Sequence, residues 1–166
     1  TLNISNDNFI RTTDPAHEKA VADVTQKLFD KKFIYKGKYE ALYCVGCEQY
    51  KTKAELVDGK CPDHKCEPEI HTEEAYLFRM SEFRDELLRR IKNDEFKISP
   101  ESRKNEMISF YEKEGLKDVA ISRKKENVFW GIELPFDKNH TLYVWIDAFL
   151  NYLTGLGWPN DKKLYK

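Results

Sequence analysis

The side chains best able to do chemistry lie between Cys44 and Cys66. Cys44-Val45-Gly46-Cys47 is followed, after thirteen residues, by Cys61-Pro62-Asp63-His64. Zinc takes four N or S ligands in a tetrahedron at about 2.0–2.3 Å, and two ligands three positions apart can supply half of it from one tight turn. Gly46 leaves room where a side chain would crowd the metal, and Pro62 fixes the bend of the second half-site. Between the pairs, Asp58-Gly59 is a turn that swings the second pair onto the first. This spacing favours a metal site over four scattered thiols. The fourth ligand has two candidates. His64 repeats the spacing of the Cys44/Cys47 pair and is preferred; Cys66 would need a longer loop and is the alternative, otherwise a nearby free thiol. Metal-type spacing without a signal peptide points to a reducing cytoplasm rather than to disulfides.

The elements that must position these ligands follow from periodicity. Tyr35, Gly37, Tyr39, Ala41 and Tyr43 alternate with Lys36, Lys38 and Glu40, a strand pattern that delivers the chain to Cys44. Ala75 to Met80 reads as the returning strand. A small antiparallel subdomain over 36–80 is therefore expected, too small to fold on apolar burial alone and dependent on its metal. Upstream, Asn8 to Thr13 reads as a short strand or extended segment. Asp14-Pro15 then looks like an N-cap with proline in the first helical position, and Val21, Val24 and Leu28 form the inward stripe. His17, in the first turn, is read as a solvated polar residue. Downstream, Ser81 is expected to cap a helix with Phe83, Leu87, Leu88 and Ile91 inward. Its Arg84, Arg89, Arg90 and Lys92 could meet a phosphate backbone, but a solvated face is the plainer reading. Ser99-Pro100 opens another helix that ends near Gly115.

In the last third, Val119 to Arg123 reads as one buried strand and Asp137 to His140 as a turn. Leu142-Tyr143-Val144-Trp145-Ile146 has the near-continuous apolar character of a strand buried on both faces. Asp147 follows it, and Ala148 to Leu156 looks helical. A strand, an acid and a helix in succession make the edge where α/β sheets place ligands. Trp145 and Tyr152 are either part of such a site or plain core.

Bulk properties narrow the classes. The 166 residues carry 28 Lys+Arg against 29 Asp+Glu, a net charge of -1, which gives no electrostatic reason to expect strong nonspecific binding to nucleic acid, and no DNA partner is expected. No run approaches a transmembrane helix in length, so no membrane is expected. A start at Thr1, with Leu2 to Ile10 already resembling structured sequence, suggests a piece of a longer protein.

Several stretches together resemble the methionyl-tRNA synthetases: Phe9-Ile10-Arg11-Thr12-Thr13-Asp14, the cysteine knuckles, Ile121-Ser122-Arg123, Trp130-Gly131-Ile132, and Tyr143-Val144-Trp145-Ile146-Asp147-Ala148. The resemblance covers essentially the whole chain and is closest to the bacterial form with a single zinc knuckle. It implies a class I Rossmann enzyme, a ligase that activates methionine with ATP and Mg2+ and transfers it to tRNA(Met). It places Trp145, Ala148 and Tyr152 on the methionine pocket and Arg123 near the active-site cleft, with Zn2+ in a structural role. Phe149 stands where some members have proline. The two ATP-handling motifs, His-Ile-Gly-His and Lys-Met-Ser-Lys-Ser, do not occur in this sequence, so a central fragment that is inactive alone is expected, with no catalytic residue of its own. The expected architecture is α/β: part of a Rossmann-like parallel sheet in 1–35 and 118–166, a zinc-stapled antiparallel insert in 36–80, and a helical part of the insert in 81–117. A free-standing zinc-ribbon binding module is the alternative; a basic patch around the knuckle would favour it.

Overall fold

A computed structural model describes residues 5–6, 9–51 and 53–160. Leu2 and Asn8, read above as structured or extended sequence, lie outside the described residues. The chain divides into a unit of residues 36–75 and a larger one formed by 1–35 with 76–166.

In the larger unit, helix α1 (Pro15–Asp30) begins as its sequence predicts. The Asp14 carboxylate accepts a hydrogen bond from the Ala16 amide at 3.0 Å, and Pro15 occupies the first turn, where its missing N–H costs nothing. Among the described residues 9–13, the segment before it holds no strand; Thr12 and Thr13 form a turn. The buried face of α1 includes His17, Ala20, Val21 and Thr25.

Strand β1 (Ile34–Cys44) leads into the smaller unit with the expected period of two: Lys36, Lys38 and Glu40 are exposed while the residues between them are half-buried. It pairs antiparallel with β2 (Gln49–Lys51), Cys44 facing Gln49. A 3-10 turn at Lys53–Glu55 follows, and β3 (Glu69–Phe78) runs beside β1.

Back in the larger unit, Ser81 does not cap a helix. It lies in a 3-10 turn (Met80–Phe83), and its hydroxyl donates to Asp118 at 2.6 Å. Helix α2 (Arg84–Lys92) buries Ile91 and is followed by α3 (Glu101–Lys113). The basic run of α2 is matched within the fold. Arg89 and Arg90 bond Glu86 at 2.8 Å, Lys92 bonds Glu112 at 2.6 Å, and the Arg84 Nε donates to the Tyr111 carbonyl. The two arginines, Arg89 first, hold the Glu86 carboxyl down to about 2.

The expected strand over Val119–Arg123 is split at Ile121. Strand β4 (Val119–Ala120) pairs with the end of β3, Leu77 facing Ala120, whereas β5 (Ser122–Lys124) joins a separate sheet with β6 (Glu133–Leu134) and β7 (Asp137–Leu142), in the order β5-β7-β6. Asp137 to His140 is thus strand, with the turn at Pro135-Phe136. The expected strand over Leu142–Ile146 is also corrected: β7 ends at Leu142, and helix α4 (Val144–Thr154) begins two residues later. The reason is packing. His140, Thr141 and Leu142 are the buried end of β7, while Ile146 and Leu150, four residues apart, turn one helical face onto the core.

The pairs β1–β2, β3–β4, β5–β7 and β6–β7 are all antiparallel. The expected parallel Rossmann-like sheet is not among them; β1–β2 and β6–β7 are joined by tight turns, a connection that pairs strands antiparallel without a crossover helix. The core gathers Val21, Ile34, Tyr76, Ile121, Leu134 and Leu142, with Phe29 stacked on Phe136 against it. The Tyr76 hydroxyl donates to Asp137 at 3.0 Å, and the Tyr76 amide donates to the Ser122 hydroxyl at 2.8 Å, so the polar groups that Tyr76 brings into this core are bonded.

Candidate metal centre and aromatic helix face

The smaller unit brings its donors together through two tight loops. Cys44 ends β1, and the next four residues form the turn that places Cys47. Asp58 and Gly59 both have positive φ, 51° and 77°, and Val57 and Lys60 exchange two 2.9 Å backbone hydrogen bonds around them. Left-handed φ at both central residues defines the hairpin turn that Asp-Gly favours. The second knuckle closes with the Lys65 amide donating to the Cys61 carbonyl at 2.7 Å and the Cys61 amide to the Cys66 carbonyl at 2.9 Å.

The donor atoms of Cys44, Cys47, Cys61 and His64 all lie within 4.8 Å of one another, and these four could hold a metal ion. Cys47 Sγ is 3.5 Å from Cys61 Sγ and 3.1 Å from His64 Nδ1. A tetrahedron with zinc–ligand bonds of about 2.0–2.3 Å has edges of about 3.3–3.8 Å, so these two separations are of the size such an ion requires. Three thiolates and an imidazole are also the soft set that suits it. Cys66 Sγ lies 3.8 Å from Cys44 Sγ but is not one of the four mutually close donors.

The surroundings are built for this cluster. A Cβ on Gly46 would stand 2.6 Å from the His64 ring, so what needs the space is the imidazole itself. The thiols compete for protons: the Cys47 amide donates to Cys44 and holds its pKa down to about 7, while burial and then Cys61 push Cys47 up to about 12. A divalent cation shared by the three sulfurs ends that competition by displacing their protons. Lys51 is a feature the sequence reading passed over. Its side chain is only 12% exposed and its Nζ is 3.8 Å from the Asp63 carboxylate. Burial works against its charge, but Cys47 and Cys61 outweigh this and raise its pKa. It supplies a cation beside a cluster whose three sulfurs, as thiolates, would exceed the charge of a divalent ion by one. A basic residue just past the first knuckle, on the strand paired with β1, was the available signal.

In the larger unit, Trp145 and Tyr152 lie outside the core. They are 58% and 74% exposed, on one face of α4 with Phe149 at 63%. The Trp145 and Phe149 ring centroids are 6.2 Å apart. Ala148 is half-buried on the turn between them. Arg123, in β5, donates from Nη1 to the Ser122 carbonyl at 2.8 Å and lays its guanidinium 4.4 Å from the Tyr143 ring centroid, one residue before α4. A cavity of about 250 Å³ lined by Ile10, Asp14, His17, Thr154 and Trp158 does not include Trp145, Ala148 or Tyr152.

His17 is not solvated. Only 1% exposed, it bonds through Nδ1 to the Thr154 hydroxyl at 2.7 Å and ties α1 to α4. Its place three and four residues before Ala20 and Val21 was the missed signal, since it extends their buried stripe. On α4, burial raises the pKa of the Asp147 carboxyl while the charge of His17 opposes the shift.

The match to known families is to the description tRNA synthetases class I (M), over residues 1–68 and 63–165, and the chain belongs to this family. The relatives narrow the class to the methionine-specific branch. The chain is 49% identical over 168 residues to the methionine–tRNA ligase of Caldanaerobacter subterraneus subsp. tengcongensis, covering 100% of this chain and 26% of that protein. It is 49% identical over 160 residues to that of Clostridium acetobutylicum, covering 96% and 24%. Among solved structures, Mycobacterium tuberculosis methionyl-tRNA synthetase bound by methionyl-adenylate superposes with a TM-score of 0.77 at 38% identity, over 98% of this chain and 33% of that one. The chain thus spans about a quarter of the length of the curated relatives it matches. Among the described residues, no helix is long and apolar enough to cross a membrane.

Proposed function

We propose that the chain is the central part of a methionine–tRNA ligase, which activates methionine with ATP and Mg2+ and transfers it to tRNA(Met) in the cytoplasm. The observation that carries this reading is the end-to-end likeness to a synthetase bound by methionyl-adenylate. Family membership along the whole length also displaces the alternative of a free-standing zinc-ribbon module.

Within this reading Zn2+ is held by Cys44, Cys47, Cys61 and His64, with Cys66 outside the set. Bound there, the ion acts structurally, fixing the insert of residues 36–80. The helical part over 81–117 continues that insert, and 1–35 and 118–166 belong to the catalytic domain, whose parallel Rossmann sheet is completed by the rest of the parent protein. Trp145, Ala148 and Tyr152 wall the methionine side chain, where aromatic faces suit a polarisable thioether. Arg123, stacked on Tyr143, braces the start of α4 at the edge of the cleft.

The test is steady-state exchange of pyrophosphate into ATP, beside thermal melting, on the full-length ligase and its Trp145→Phe variant. We expect the variant to keep its Tm and to raise KM for methionine about tenfold, equivalent to about 1.4 kcal/mol, with KM for ATP little changed. An unchanged methionine KM with a lowered Tm would make Trp145 a structural residue and remove the pocket.

A further inference from the structure

Cys66 is the cysteine that the proposed ligand set leaves over. Its Sγ is 3.8 Å from that of Cys44, outside the four-donor cluster, and the two thiols differ in access: Cys44 is fully buried, Cys66 partly exposed. The loop holds Cys66 in this place. Its carbonyl accepts from the Cys61 amide at 2.9 Å, and Lys65 turns the chain with a φ of 52°. A disulfide needs the sulfurs about 2.05 Å apart, so the two sulfurs stand less than about 2 Å short of a bond.

We infer that Cys66 is an oxidation site that unloads the metal centre: a peroxide oxidises Cys66, and Cys44 is then withdrawn from the metal into a Cys44–Cys66 disulfide. This rests on the reading of Cys44, Cys47, Cys61 and His64 as the ligands. In the first step the Cys66 sulfur attacks the peroxide O–O bond. With hydrogen peroxide, a sulfenic acid forms and water leaves. In the second, the Cys44 sulfur attacks the sulfenic sulfur, the S–O bond breaks, and the oxygen departs as hydroxide. Two sulfurs have each lost one electron, and one peroxide has become two waters once protons are counted. The metal is left with Cys47, Cys61 and His64. Losing one of three thiolates from a site whose folding energy is its binding energy releases the ion and loosens the unit it holds. The chemistry is reversible, because a dithiol reductant restores both sulfurs.

The experiment uses the full-length ligase, wild type and Cys66→Ser, with hydrogen peroxide as the oxidant. Zinc content is measured first, then zinc release with a chromophoric chelator, then the cross-linked peptides by mass. The expected result is one equivalent of zinc in both proteins. The wild type then releases it in step with a peptide pair joined at Cys44 and Cys66, lighter by two hydrogens, while Cys66→Ser releases it at least tenfold more slowly. Equal release rates, or a first disulfide joining any other pair, would overturn the inference. Zinc in the wild type but none in Cys66→Ser would make Cys66 a ligand, overturning the inference while leaving a metal centre in place. A wild type without zinc would overturn the ligand reading and the inference together.

Discussion

Among their described side chains, residues 36–75 bury Cys44, Cys61 and Ala75, whereas the larger unit buries Val21, Ile34, Ile121, Leu134 and Leu142 with Tyr76 between them. Large apolar side chains of the smaller unit, Val45, Val57 and Ile70, are more than half exposed. Its interior is therefore sulfur rather than hydrocarbon. An apolar core stabilises by the area it removes from water, spread over many contacts. A thiol cluster removes little area and gathers donors that repel one another until a cation joins them. The two units should accordingly respond to opposite insults.

The largest expected effect is of metal removal. Chelation should abolish amide-exchange protection across 36–75, where structural zinc in small domains is worth about 10–16 kcal/mol of binding free energy, and leave protection of Val21, Ile121 and Leu134 in place. Equal loss in both units, read residue by residue by hydrogen exchange, would erase the contrast. A smaller effect of opposite location is expected from Leu134→Ala, which opens a cavity in a side chain only 1% exposed. It should cost about 2–5 kcal/mol of stability by denaturant titration while zinc content stays at one equivalent.

The smallest effect sharpens the comparison with pH. Asp118 accepts from the Tyr35 hydroxyl at 2.8 Å and from the Ser81 hydroxyl at 2.6 Å, beside Arg79 stacked on Tyr35. Burial disfavours its charge, but these hydrogen bonds outweigh burial and lower its pKa, while the same contact raises that of Tyr35. A depressed carboxyl stabilises the fold above its unfolded pKa, near 4, and the contribution is lost as pH falls through the folded value. Asp118→Ala should therefore cost about 1–2 kcal/mol at neutral pH, allowing for solvent access, and the gap from wild type should close in acid. A gap that widens on acidification would contradict the sign.

The features that could be read in advance are those whose cause is local. Asp14-Pro15 opens α1 because a cap and its helix are neighbours in sequence, and β1 shows its period because one face of it meets water. The clustering of the knuckle donors was legible because a tetrahedral half-site fits within a single turn. The choice between His64 and Cys66 was less so: spacing favours His64, but only the turn at Lys65 shows Cys66 against Cys44 and outside the four-donor cluster. Val144-Trp145-Ile146 was misread because β-branched and aromatic residues favour strands when nothing else decides.

By itself, then, the sequence determined the family, the four donors that come together in the knuckle and the elements with strong local signals, since order, spacing and capping are properties of neighbouring residues. The tertiary structure alone decided that Ile121 separates two sheets, that α4 begins at Val144, and that the partner of His17 is Thr154. Each of these depends on a partner far along the chain. A side chain's preference of a few tenths of a kcal/mol for strand or helix yields to the burial of Ile146 and Leu150, which is worth more.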